Sequence, residues 1–182
     1  MERLEVESCL ASMTVCVDKR EQPSARAEKR YSAFSCEYNR CTLDYGDYTY
    51  NFTLPNGELL FKPDERIKGH VVIERKMDLT ELSGCFTHER ARFEREFERA
   101  KESGAKTYLL VEDATWENLI NGRYRTKFNP KSYLASITAY LARYNITPIF
   151  CKQETAGKMI YEILRRELKE RLENGFYDPF VN

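Results

Sequence analysis

The sequence predicts an α/β fold in which a mixed central β-sheet is flanked by α-helices. Three observations carry this expectation. The second half alternates short β-branched or apolar runs with segments of helical periodicity, the pattern of successive strand–helix units. The first half holds closely spaced strand candidates around an Asn56-Gly57 turn signal, which favours antiparallel pairing. The length of 182 residues, 42% of them hydrophobic, suits one core rather than two.

Residues 13–18, Met-Thr-Val-Cys-Val-Asp, form the first strand candidate and end in the charged cluster Asp18-Lys19-Arg20-Glu21. Residues 24–30 are polar and basic, and suit either a short helix running into Tyr31 and Phe34 or a loop. A β-meander is expected over 36–76, with strands at 36–43, 48–54, 58–62 and 70–76 and the Pro55-Asn56-Gly57 turn between the second and third. Leu79, Leu82, Phe86, Phe93, Phe97 and Ala100 recur at helical spacing among Glu and Arg, predicting one helix that stops near Gly104.

The run 107–113, Thr-Tyr-Leu-Leu-Val-Glu-Asp, reads as a central strand covered on both faces. A helix opened by Pro130 follows, with Leu134, Ile137, Leu141 and Tyr144 as its apolar stripe. Residues 146–151 give another strand, and 155–174 a last helix with Ile160, Ile163, Leu164, Leu168 and Leu172 inward and Gly175 closing it. The expected organisation is one domain with a core of about 13–173 and an aromatic tail, 174–182, that docks on this domain or on a partner.

Lys and Arg number 29, as do Asp and Glu, so no global basic field is available to hold a polyanion and any nucleic-acid contact must be a local patch. No apolar run approaches the roughly 20 residues that span a bilayer, and the acidic, polar start does not suit a secretory signal. A soluble, non-secreted protein with no membrane partner is expected. The six cysteines show no CxxC pair and no histidine at zinc-ligand spacing, as free thiols in a reducing cytoplasm would.

The most informative segment is Val71-Val72-Ile73-Glu74-Arg75-Lys76. A strand alternates its faces, so Glu74 and Lys76 leave on the same side. Asp47 precedes them at a Gly-containing bend, and Asp18 lies at the mouth of the first strand. Three carboxylates and a lysine suit Mg²⁺ or Mn²⁺, hard ions that take oxygen ligands and keep several waters, with a phosphodiester completing the coordination. An alternating Glu-Arg-Lys strand is also what a solvated sheet face with cross-strand ion pairs looks like.

Arrangement along the chain separates the two readings. Gly46-Asp47 followed by Glu74-Arg75-Lys76 resembles the Gly-Asp…Glu-Arg-Lys-x-x-x-Asp signature of the XPF-type nuclease domain, within the restriction-endonuclease-like superfamily. Val17-Asp18-Lys19-Arg20-Glu21 resembles that family's opening strand, and Leu109-Leu110-Val111-Glu112 its later apolar strand. The matches run in order from about Thr14 to Leu172.

The resemblance implies a restriction-endonuclease-like fold and cleavage of branched, flapped or junction DNA with Mg²⁺ or Mn²⁺. It makes Asp47 and Glu74 metal ligands, with Asp18 and Ile73 as further metal positions. Lys76 becomes the water-positioning base, Arg75 a catalytic neighbour, and Arg20, Glu21, Asp78 and Thr80 supporting residues. It also implies a homodimer acting in DNA repair or recombination, in the cytoplasm of a bacterial cell or phage-infected host, as a bare catalytic domain without the helicase half or the tandem helix-hairpin-helix module of larger members.

Two departures stand out. The signature's final Asp falls on Thr80, with Asp78 and Glu81 on either side as substitutes, and the Asp47–Glu74 interval is long, carrying the extra Asn56-Gly57 hairpin. DNA contact is assigned to Arg90 and to the stretch Arg123, Tyr124, Arg125 and Lys127, where arginines suit phosphates and aromatics suit unpaired bases. The other arginines of residues 88–99 are read as an exposed Glu–Arg face, and neither His70 nor His88 is needed. Competing functions are a catalytically weak or inactive DNA-binding subunit of the same fold, which loss of Asp at Thr80 favours, and a nuclease acting on linear or single-stranded DNA.

Overall fold

The protein is described here by a computed structural model covering residues 1–178 in full. Strand β1 (Thr14–Asp18) sits inside a seven-stranded sheet with β2 (Tyr38–Leu43), β3 (Tyr48–Asn51), β4 (Arg66–Ile67), β5 (Val71–Lys76), β6 (Lys106–Glu112) and β7 (Ile146–Cys151), ordered β4-β2-β1-β3-β5-β6-β7. β5, β6 and β7 run parallel, while β3 is antiparallel to both β1 and β5, so the sheet is mixed as expected.

The meander is corrected in the first half. Helix α2 (Ala25–Tyr31), capped by Ser24, crosses over so that β2 returns parallel to β1. The chain then passes the end of β1 and pairs β3 on its other side, so the neighbours β2 and β3 do not touch as strands. Residues 58–62 form no strand, only a single bridge from Thr53 to Leu59. The Asn51 side chain takes the place of a ladder there: its Oδ1 accepts the Phe52 and Phe61 amides and its Nδ2 donates to the Phe61 carbonyl.

Helix α1 (Arg3–Ala11) has no counterpart in the sequence reading. It is mostly polar, and only Val6 and Cys9 are buried. The single helix expected over 79–104 is two, α3 (Leu79–Cys85) and α4 (Arg90–Glu102). Phe86 and Phe93 lie on either side of the break with ring centroids 5.7 Å apart, so the apolar spacing continues where the backbone does not. The chain is completed by α5 (Trp116–Ile120), α6 (Pro130–Tyr144) and α7 (Gln153–Glu173). In α6 the buried stripe is Tyr133, Ile137, Tyr140 and Tyr144; Leu134 and Leu141 pack at its edge.

Alternation along the strands divides the core into two layers. Val15, Val17, Tyr48, Tyr50, Val71, Ile73 and Leu110 pack with α1, α2 and α7; Leu109 and Val111 pack with α3 to α6. α7 and α2 meet closely at Gly157, where an added Cβ would lie 2.2 Å from the Arg30 carbonyl oxygen. From the tail, Tyr177 hydrogen-bonds Tyr50 at 2.6 Å and His70 Nδ1 at 3.0 Å, and Arg171 stacks over Phe176. Residues 179–182 of the expected aromatic tail lie outside the described residues. All six cysteines are free thiols, and no described helix is long and apolar enough to cross a membrane.

Candidate active site

Central strand β5 sends Val72, Glu74 and Lys76 to the α3–α4 face and Val71, Ile73 and Arg75 to the α2–α7 face. Glu74 and Lys76 are 4% and 8% exposed, which is costly for charged groups unless they are paired. Lys76 Nζ donates to Glu74 Oε1 at 2.5 Å and lies 5.4 Å from the centre of the Phe93 ring. Glu74 Oε2 is buried with no hydrogen-bond partner.

Asp47 is fixed at the end of β3. Its N–H donates to the Ile73 carbonyl at 2.9 Å, its carbonyl accepts the Asp18 N–H at 2.9 Å, and its Oδ2 accepts the Arg75 N–H at 2.7 Å. Burial, and then the charge of Glu74, push the Asp47 carboxyl up to about 8 despite Lys76. Burial also raises Glu74, with Lys76 opposing. The Lys76 ammonium is held above its ordinary range: burial works against the charge, but Glu74 and Asp47 outweigh it. Two desolvated carboxylates and one cation therefore share a pocket that is short of positive charge.

That arrangement fits a hard divalent cation. Mg²⁺ binds through one or two carboxylates plus waters and substrate phosphate, so Asp47 and the unpartnered Oε2 of Glu74 suffice as protein donors. Among the described residues, no group of three or more His, Cys, Asp or Glu side chains is arranged to hold a metal. Asp18 accounts for the difference from the expected three. Its Oδ1 accepts Arg20 N at 2.8 Å and Arg20 Nε at 2.6 Å, and its Oδ2 accepts Leu43 N at 2.8 Å, so one oxygen is committed to the turn after β1 and the other to the end of β2. Ile73 is likewise occupied: its side chain is in the core and its carbonyl receives the Asp47 amide.

The supporting residues divide between the two faces of the sheet. Arg20 reaches Gly46 O at 3.4 Å and Glu96 Oε1 at 3.3 Å, and the same Glu96 oxygen accepts the Gly46 N–H at 3.1 Å. Gly46 has φ +72°, and a Cβ there would lie 2.9 Å from the Val72 Cβ, so the bend that delivers Asp47 requires glycine. On the opposite face Glu21 accepts from Arg30 at 3.0 Å and Tyr48 OH at 2.9 Å. The Arg75 guanidinium joins Glu21 at 3.5 Å and Glu112 at 3.6 Å, away from Glu74 and Lys76. Arg75 serves the site through its backbone.

Sequence reasoning missed Glu96, Arg30 and Glu112. Glu112 is fully buried and holds Arg26, Arg30 at 3.1 Å and Arg75. A signal existed for Glu96, which falls within the apolar arc of Phe93, Phe97 and Ala100, where a solvated carboxylate does not belong. Neither neighbour of Thr80 substitutes for the signature's last acid: Asp78 Oδ1 caps α3 at Glu81 N, and Glu81 Oε2 accepts Met77 N. Thr80 Oγ1 accepts the Arg125 N–H at 3.2 Å.

Arg90 pairs with Glu94 at 3.1 Å on the side of α4 that meets Tyr140. Arg92 and Arg99, four residues before and three after Glu96, share that carboxylate's face instead. Tyr124 is not free to stack on a base, because its ring packs edge-on to Tyr133 at 5.3 Å and its OH donates to Phe128 O. Arg123, Arg125 and Lys127 are exposed. A cleft of about 430 Å³ between this loop and the end of β5 is lined by Arg26, Met77, Thr80, Asp113, Arg123 and Arg125, among others.

The fold is that of the XPF nuclease. The chain superposes on XPF from Aeropyrum pernix with a TM-score of 0.59 at 17% identity, covering 92% of this chain and 71% of that one. Against the same organism's XPF in complex with DNA the TM-score is 0.58 at 20% identity, over 87% of this chain and 66% of that one. Residues 17–163 match the ERCC4 domain, and the chain belongs to that family. Comparison with curated proteins returns no match.

Proposed function

We propose that this protein is a divalent-metal-dependent endonuclease that hydrolyses phosphodiester bonds in branched, flapped or junction DNA. The observation that carries the reading is the trio of half-buried Asp47 and buried Glu74 and Lys76, with Glu74 Oε2 unpartnered and Asp47 raised to about 8. Asp47 and Glu74 would hold the metal. Bound Mg²⁺ or Mn²⁺ supplies a water of lowered pKa and neutralises charge on the scissile phosphate.

Lys76 acts as a positioned cation. With its ammonium held protonated between Glu74 and Asp47, it orients a water or a phosphate oxygen by donating hydrogen bonds. The Arg75 amide and the Gly46 bend keep Asp47 aimed, and Glu96 keeps the bend. Dimerisation and a role in repair or recombination belong to the same proposal, supported by membership of the ERCC4 domain family.

The second reading is a partner subunit that binds DNA without cutting it, favoured by Thr80 standing where the signature has its last acid and being engaged by the Arg125 amide. One experiment separates the two: labelled flap, fork, Holliday-junction, linear duplex and single-stranded DNA with Mg²⁺ or Mn²⁺, alongside Glu74→Ala and EDTA controls. Cleavage lost in both controls supports the nuclease and identifies its substrate. Binding without cleavage by folded protein supports the partner subunit.

A further inference from the structure

The cleft beside the end of β5 contains charges that the active site does not use. Its floor is acidic in composition but already spent: Asp78 caps α3, and Asp113 accepts the Gln153 N–H and pairs with Arg26 at 3.5 Å. Arg26 is spent too, on Glu112, Asp113 and the Met77 carbonyl. What remains is Arg123 and Arg125, exposed and making no side-chain hydrogen bond or ion pair with any described residue.

The loop that bears them is built to present them. Exposure alternates from 123 to 128, so Arg123, Arg125 and Lys127 face solvent while Tyr124, Thr126 and Phe128 turn inward. Tyr124 and Phe128 both pack on Tyr133, at 5.3 and 4.9 Å between ring centroids. A third anchor is the Arg125 N–H on Thr80 Oγ1 at 3.2 Å, which ties the loop to α3 only four residues beyond Lys76. Cations without internal partners on an anchored segment, next to a site that acts on phosphodiesters, suit the backbone of the substrate strand.

We propose that this cleft holds the sugar–phosphate backbone of a single strand of DNA running on from the cut site. Arg123 and Arg125 contact its phosphates, and Thr80 is the positioning residue that fixes the loop. The proposal rests on the nuclease reading for the direction of the strand, but its binding chemistry is tested separately. The departure at Thr80 then marks a change of role: an acid at that position would place a negative charge beside the phosphate track.

The test is fluorescence anisotropy of the full chain with a labelled single-stranded oligonucleotide and with an overhang duplex. Binding is measured in EDTA, so that nothing is cut, over a salt series. Arg123→Ala/Arg125→Ala is expected to weaken binding roughly tenfold at low salt and to reduce the log–log salt slope by about 1.4, the value for two lost phosphate contacts on a single strand. Thr80→Ser is expected to bind like wild type and Thr80→Val to weaken binding, with thermal melts confirming that all variants fold. Arg166→Ala, at an exposed pair on α7, serves as the control for general charge loss.

Wild-type affinity and slope in the double variant overturn the proposal, and if the same variant also cuts normally with Mn²⁺ the nuclease reading stands without it. A wild-type protein that binds but does not cut, with binding weakened and the slope reduced in the double variant, leaves the cleft supported and removes the nuclease reading. A folded wild type that neither binds nor cuts overturns both.

Discussion

The Arg75 amide donates a 2.7 Å hydrogen bond to Asp47 Oδ2, while the guanidinium of the same residue lies on the other face of the sheet among Glu21 and Glu112. One residue thus positions a proposed metal ligand with its backbone and, with its side chain, joins half-buried Glu21 and buried Glu112. Truncating it leaves Glu112, fully buried, with one cation fewer. Arg75→Ala is expected to cost about 3 kcal/mol, or roughly 6–12 °C in Tm. Thermal melts check this, and an unchanged Tm would show that the network is not structural.

Asp47 gives a pH dependence with a definite sign. Its folded-state value of about 8 lies above the roughly 3.9 of an unfolded aspartate, so the folded protein holds the proton more tightly. The metal-free protein should have this contribution in full below about pH 4 and lose it progressively as pH rises towards 8. Asp47→Asn removes the loss. In EDTA its Tm should exceed that of wild type near pH 8, with the gap narrowing as pH falls and closing only near pH 4. Parallel Tm–pH curves for the two proteins would refute the assignment.

Glu96 is expected to matter without touching substrate. Glu96→Ala strands the Gly46 N–H and frees Arg20, at about 1–3 kcal/mol. Glu96→Gln keeps an acceptor for Gly46 and should recover most of the stability and a larger share of the activity. Calorimetry and cleavage rates on the same preparations distinguish the two. Equal losses for both variants would mean that charge, and not the Gly46 contact, is what the site needs.

Gly46→Ala tests the same bend from the backbone side. A positive φ and a 2.9 Å approach to Val72 both penalise a side chain. A loss of about 1–3 kcal/mol is expected, with a larger effect on cleavage than on melting because Asp47 is displaced. Retained cleavage would show that Asp47 tolerates movement.

Much of this could be read from the sequence, and the misses have identifiable causes. β7 was legible to the residue, and the alternation of β5 put Glu74 with Lys76; the same alternation places Arg75 opposite them, against the role its place in the signature suggested. Asp18 looks free in the sequence because, although two of its donors come from nearby Arg20, the third is the Leu43 amide at the end of β2, 25 residues away, which no local pattern reveals. The order of β2 and β3 hinged on whether residues 24–30 formed a crossover helix, which composition left open. The break between α3 and α4 was hidden by the even spacing of Phe86 and Phe93.

The most direct measurement is single-turnover cleavage of one labelled flap substrate with Mn²⁺ by wild type, Asp47→Asn and Lys76→Ala, each shown to be folded. The trio of Asp47, Glu74 and Lys76 predicts cleavage by wild type and a loss of at least about 10²-fold in both variants. Comparable rates in all three proteins, or no cleavage by folded wild type with either metal, would contradict it.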